Sequence, residues 1–270
     1  MKKKSSWEST KVYDWKNYVI PARPSASELD VYEEYIRRAA KKKKSLTIAI
    51  LGSTVEFRSL CHKYNAVVTI IEFSKRHYEV LSRQPMQHKG KETVREEDWR
   101  TMQPDRHYDL ILGDLVLNVV QKKDIGAILR NLKKSLSPGG SCILRTWVRK
   151  DDTRRSIEKV LQSYRRNTPR LHFYTANIMP LYMCSYDFRK DNSDYPGMIA
   201  LLKKQLTEKK ISKKEYLSCY LRWKHEGSAF TIPLKNNLEA LLSRFFGSKK
   251  IRYGSDSFKA WAPMYILRKK

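Results

Sequence analysis

Glycine is scarce in this chain, at 10 residues in 270, and cysteine is scarcer, at four. Cys61, Cys142, Cys184 and Cys219 form no C-x-x-C pair, so no metal site and no disulfide framework is expected. Such spacing suits a reducing compartment, and a cytoplasmic location is expected. No apolar run approaches the roughly 20 residues that a membrane span needs, and the Met1-Lys2-Lys3-Lys4 start is followed by no apolar signal region. Acidic residues are also few, 28 against 55 Lys and Arg, for a net charge of +27. That excess is dispersed: segments 1–44, 45–149, 150–230 and 231–270 carry +6, +6, +8 and +7. A basic surface of this kind favours encounter with polyanions, RNA among them, without marking a nucleic-acid face. Hydrophobic residues make up 41% of the chain, enough for a real core. Nothing in the sequence sets an oligomeric state.

What the chain does have is order between Leu46 and Val148. Leu46-Thr47-Ile48-Ala49-Ile50-Leu51 is an apolar run that breaks at Gly52-Ser53-Thr54 and turns helix-like through Val55 to Leu60. Val67-Val68-Thr69-Ile70-Ile71 ends on Glu72, 20 residues after Gly52, and Asp98 stands before Trp99. Tyr108 to Gly113 ends on Asp114, and Pro138-Gly139-Gly140 precedes the run from Ser141 to Val148. Short buried runs separated by helical stretches predict parallel strands with helical crossovers. In such sheets the ligand crevice lies outside the carboxyl ends of the strands, where this glycine and these acids fall. For a nucleoside ligand, Gly52 lets backbone approach closely, Glu72 can accept from both ribose hydroxyls, Asp98 from an exocyclic amine, and Trp99 offers a flat apolar face.

At these residues the chain resembles the class I S-adenosylmethionine-dependent methyltransferases, and in its Leu-Gly-x-Thr-x-Glu first turn a branch reading Leu-Gly-x-Thr-Pro-Glu, with Val55 in the proline's place. The resemblance implies an α/β, Rossmann-like, doubly wound and mostly parallel seven-stranded sheet with a C-terminal antiparallel strand pair and a helical insertion. It implies S-adenosyl-L-methionine as cofactor, bound by Gly52, Ser53, Thr54, Glu56, Glu72, Phe73, Asp98, Trp99, Asp114 and Leu115. Strand four would end near the transferred methyl group. No catalytic base is written in the sequence. The nicotinamide-dependent alternative needs G-x-G-x-x-G, of which only the first glycine is present, and Glu56 would set a negative charge near the phosphates. Asp114-Leu115-Val116-Leu117 also lacks the Asn/Asp-Pro-Pro-Tyr/Phe of the family's base-amine methylases. The expected acceptor is therefore a small molecule, with an RNA methyltransferase or a non-catalytic, methyltransferase-like binding protein as the alternatives.

The chain reads as four segments. Residues 1–44 are an N-terminal tail and cap helix, with Trp7, Tyr13, Trp15 and Tyr18, an extended Pro21–Ser25 stretch, and Ser25 or Ser27 as helix cap before Leu29, Tyr32, Ile36 and Ala40. Residues 45–149 are the cofactor-binding core. Residues 150–230 are a helical insertion expected to cover the substrate over the strand ends. It holds a helix capped by Asp151 or Asp152 and an aromatic and methionine-rich loop including His172, Tyr182 and Tyr186. A helix after Asp194 follows, with Ile199, Leu202 and Leu206 inward, then one opened by a Ser212–Glu215 capping box and carrying Tyr220. Residues 231–270 are the final helix and strand pair that complete the core.

Overall fold

The computed structural model describes residues 19–167, 172–223, 230–256 and 258–269. Trp7, Tyr13, Trp15 and Tyr18 lie outside them. The chain divides into two units, an α/β unit whose described residues are 19–150, 233–256 and 258–269, and a helical unit whose described residues are 151–167, 172–223 and 230–232.

In the α/β unit, chain order gives α1 (Ala26–Ala40), β1 (Thr47–Leu51), α2 (Val55–Lys63), β2 (Val67–Glu72), α3 (Lys75–Ser82), β3 (Glu92–Glu96), β4 (Tyr108–Asp114), α4 (Ile125–Ser135) and β5 (Leu136–Arg145). Across the sheet the strands run β3-β2-β1-β4-β5, all parallel, and end in an antiparallel pair, β7 (Met264–Arg268) and then β6 (Ser248–Arg252). This is the doubly wound, seven-stranded arrangement. Strand order reverses between β1 and β4, so their carboxyl ends form the switch point at which such folds bind ligands.

Strand alternation splits the core into two layers. Ile48, Ile50, Val68, Ile70, Leu110 and Leu112 pack with α1 and α2 on one face. Ala49, Leu51, Ile71, Ile111 and Leu144 pack with α4 and with a later helix (Lys235–Phe245) on the other. That helix buries Leu238 and Leu242, and the chain turns at Gly247 into β6.

Several expectations need correction. β3 is a polar strand, Glu-Thr-Val-Arg-Glu, which among the described residues pairs only with β2, so no apolar run announces it. Thr146, Trp147 and Val148 leave the β5 ladder, although Thr146 and Val148 still donate to Pro263 and Trp261. Residues 20–23 form a turn rather than an extended stretch, with Ala22 N–H bonded to the Val19 carbonyl. Of the two candidate caps it is Ser25 that caps α1, as one of the alternatives had it, through a full capping box with Glu28, and the helix buries Val31 and Tyr35 beside Tyr32 and Ile36.

The helical unit comprises α5 (Ile157–Asn167), α6 (Phe173–Ser185), α7 (Tyr195–Thr207) and α8 (Lys213–Trp223), which makes Lys235–Phe245 α9. Ser156 takes the first-turn bond of α5, from Lys159 N–H, so Asp151 and Asp152 are not its caps. The expected aromatic loop is α6, a helix buried nearly all round, and an all-round apolar helix shows no period to read. Asp194 caps α7 by accepting from Gly197 N–H, but the buried face is Tyr195, Met198, Leu202 and Gln205, not Ile199 and Leu206. The Ser212–Glu215 box closes the start of α8 in both directions. No helix among the described residues is long and apolar enough to cross a membrane.

Candidate functional site

The first turn is built on one carbonyl. Gly52 N–H and the Trp99 indole N–H both donate to the Ile71 carbonyl, at 2.9 and 2.8 Å. Gly52 has φ +84°, a left-handed conformation that only glycine adopts freely. A Cβ placed on it would lie 3.9 Å from Glu72 Oε2 and 3.9 Å from the Trp99 ring. Thus Gly52, Glu72 and Trp99 converge at the carboxyl ends of β1 and β2, with the carboxylate and the indole both within contact distance of the Cβ position of residue 52.

Glu72 is buried and heavily partnered. Its Oε2 accepts from Ser53 Oγ at 3.0 Å and meets His77 Nδ1 at 3.0 Å, while among the described residues Oε1 accepts from Ser74 N–H alone, at 3.3 Å. A carboxylate oxygen takes about two hydrogen bonds, so Oε1 retains acceptor capacity. Thr54 is the N-cap of α2 but makes no side-chain capping bond, and Glu56 sits in that helix's first turn, paired with Arg23 at 3.4 Å. An acid there suits the positive helix end and opposes a second anion. Phe73 is half-buried just past β2.

Asp98 is gripped by its neighbour. Arg100 Nε is 2.9 Å from both carboxylate oxygens, and Arg100 N–H donates to Oδ1 at 2.9 Å. Partial burial pushes the Asp98 carboxyl up, but Arg100's hydrogen bonds and charge outweigh it and hold the group below the usual aspartate range. Asn131 of α4 pins the same loop through the carbonyls of Trp99 and Arg100.

Asp114 ends β4 in a different setting. Its oxygens bond Arg145 Nε at 2.6 Å and Nη2 at 3.2 Å. Arg145, fully buried, also reaches Glu28 Oε2 at 3.1 Å and the Pro21 carbonyl at 2.9 Å. Tyr32 OH closes the group, donating to the Gly113 carbonyl and accepting from Arg145 N–H. Two carboxylates share one guanidinium here, and desolvation pushes both the Asp114 and Glu28 carboxyls up against Arg145's pull. Leu115 follows with φ +55°, strained for a leucine, fixed by its N–H to the Arg145 carbonyl. Asn118 then bonds Trp147 twice, Nδ2 to its carbonyl and Oδ1 to its N–H, each at 2.9 Å.

The structure therefore gathers Gly52, Ser53, Glu72 and Trp99 into one cluster and sets Asp114 in a separate ion network. Arg145, Glu28, Tyr32, His77 and Asn118 were not read as partners from the sequence. Two signals were there: the Ser-x-x-Glu box at Ser25, and an arginine inside an apolar strand, which needs acids beside it when buried. In the helical unit, Tyr186 OH donates to Asp191 and accepts from Ile232 N–H, and Tyr182 packs on Phe230 and bonds Tyr195, so these two tyrosines are core. Among the described residues no group of three or more His, Cys, Asp or Glu is placed to hold a metal ion.

No protein-family model and no curated protein matches the chain. Solved structures do. A putative zinc-dependent alcohol dehydrogenase from Rhodobacter sphaeroides aligns over 98% of this chain and 96% of its own, with 16% identity and a TM-score of 0.60. The PH0226 protein from Pyrococcus horikoshii OT3 aligns over 96% and 100%, with 12% identity and a TM-score of 0.51. A SAM-dependent methyltransferase from Methanosarcina mazei aligns over 84% and 93%, with 14% identity and a TM-score of 0.48. At these identities the first two likenesses are likenesses of fold, and fold alone does not carry chemistry.

Proposed function

We propose that the chain binds S-adenosyl-L-methionine at the β1–β2–β4 strand ends and transfers its methyl group to a small-molecule acceptor. The observation that carries the reading is the convergence of Gly52, Glu72 and Trp99 at the strand ends, where a carboxylate and an indole both stand 3.9 Å from the Cβ position of residue 52. These are the groups a nucleoside calls for: Glu72 Oε1 for the ribose hydroxyls, Trp99 for the adenine face, and the Gly52–Ser53 backbone beside the amino-acid part. Phe73 and Asp98 would flank the adenine, with Thr54 and Glu56 on the first turn and Asp114 and Leu115 at the end of β4 completing the set. When bound, the cofactor supplies an electrophilic methyl carbon on a sulfonium, so the protein's task is to orient an acceptor. Ser53 and His77 hold the Glu72 carboxylate in place, and Asn131 holds the Trp99 loop.

The same geometry argues against a dinucleotide. The first turn has one glycine, and Glu56 already places a negative charge in the first turn of α2, where a pyrophosphate would sit. Binding of S-adenosylhomocysteine, with no binding of NADH under the same conditions, is the expected calorimetric result. The reverse preference would replace this reading with the dehydrogenase one.

A second reading, a cofactor-binding protein without turnover, has one observation in its favour. Asp114, the acid nearest the methyl by resemblance, has both oxygens bonded to Arg145, which leaves it poorly placed to take an acceptor's proton. Cofactor binding without label transfer to any small-molecule pool would favour that reading.

A further inference from the structure

The helical unit carries a groove of its own, of about 930 Å³, lined by Arg165 of α5, His172 at the cap of α6, Lys209, Lys210 and Ser212 of the α7–α8 turn, and Lys214 of α8. Its size is that of a small-molecule site. We propose that this groove binds the phosphate group of a phosphate-bearing ligand.

Charge is the first argument. Arg165 is neutralised by two bonds to Glu215, and Lys210 by Glu208 at 2.7 Å. Among the described residues Lys209 and Lys214 meet no carboxylate, so two lysines of the lining are without an acid partner there. The positive field is felt by a third group: burial first, then Arg222 and Lys214, hold the His172 imidazole below its usual range. A dianion in the groove would offset both lysines.

Geometry is the second. Lysines on a flat helix face are simply solvated, but Lys209 stands on a fixed turn and Lys214 on the first turn of α8, both in the wall of the groove. Lys210 and Ile211 N–H both bond the carbonyl of Gln205, a residue with almost no exposure. Lys209 itself has φ +56°, at a helix end where glycine is the strain-free choice. The N-terminus of α8 contributes little, because the Ser212–Glu215 box already fills it. The site is thus made by side-chain cations rather than by a helix dipole.

The wall also shapes the ligand class. Its larger aromatic rings, Tyr164 and Phe173, are buried edge-on to each other at 5.2 Å, which leaves the small His172 imidazole as the exposed ring of the lining. Recognition would rest on the phosphate, carried either by a small metabolite or by a single-stranded RNA backbone. The proposal does not rest on the cofactor reading, because every residue it uses lies within the helical unit.

The test uses the full chain with inorganic pyrophosphate in calorimetry, and with a fluorescent single-stranded RNA hexamer in anisotropy across a salt series. Lys209→Gly removes a cation while relieving the left-handed strain, and Lys214→Gln removes the other; Lys203→Gln, an exposed lysine outside the groove, is the control. Each groove variant is expected to weaken pyrophosphate binding about threefold, as for an exposed charge contact, with the control unchanged. If RNA is the source, pyrophosphate competes with the hexamer and each variant lowers the log–log salt slope by about 0.7. If a small molecule is the source, pyrophosphate binding falls in the variants while hexamer binding does not change. Absence of saturable binding by either probe, or equal losses in the control, would overturn the proposal.

Discussion

Arg145 reaches from the last residue of β5 to Asp114 at the last residue of β4, Nε to Oδ1 at 2.6 Å, with side-chain exposures of 0% and 6%. Glu28 of α1 meets the same guanidinium at 3.1 Å. This buried triad ties the N-terminal helix to the switch point of the sheet. Removing the arginine leaves two buried carboxylates without a cation, whereas removing one acid leaves a matched pair. Arg145→Met is therefore expected to cost about 3–5 kcal/mol of stability, and Asp114→Asn less, about 1–3 kcal/mol. Urea unfolding of both variants checks the order; equal losses would mean that the triad does not act as one.

The acids of the α/β unit pull stability in opposite directions with pH. Burial pushes the Glu92 carboxyl up, but the hydrogen bonds of Arg58, His62 and Tyr78 outweigh it and hold it below the ordinary range. Its contribution is present above the unfolded-state value, about 4.3 for glutamate, and is lost as pH falls through the lower folded value. Asp114 and Glu28 are raised, so their ionisation costs stability above their folded values, and acid recovers it. Glu92→Gln should then reduce the drop in urea midpoint between about pH 7 and about pH 3.5. An undiminished drop would assign the acid sensitivity to other groups.

Leu115 sets burial against backbone strain. At φ +55° a leucine is strained, yet the residue is buried, at 8% exposure. Leu115→Ala keeps the strain and loses the packing, for about 2–5 kcal/mol. Leu115→Gly loses the same packing but relieves roughly 1–2 kcal/mol of left-handed strain. The glycine variant is expected to be the more stable of the two, against the usual order, as thermal unfolding would record. An alanine variant at least as stable would mean that the strain at residue 115 is negligible.

Much of the sheet was legible because its central strands are buried on both faces and read as unbroken apolar runs, as Ile48–Leu51 and Leu110–Leu112 do. β3 was not, since a polar strand shows no apolar run, and α6 was not, since burial all round erases the 3.6-residue period. Gly52, Glu72 and Trp99 were legible as a set because strand ends are where turns and acids stand out. Their partners were not. That Ser53 and His77 meet on one oxygen of Glu72, and that Arg145 bonds both oxygens of Asp114, depends on pairing across 19 residues or more in all but one case, and sequence spacing does not give such pairs.

S-adenosylhomocysteine titrated calorimetrically into the wild-type chain and into Glu72→Ala tests the cofactor site most directly. The wild type is expected to bind, and the variant to bind more weakly by about 1.5–3 kcal/mol, the cost of losing hydrogen bonds to a charged group, which is roughly 10- to 150-fold in affinity. Circular dichroism must show both proteins equally folded at the titration temperature. Equal affinity in the two proteins, or no binding by a folded wild type, would contradict a ribose site at Glu72.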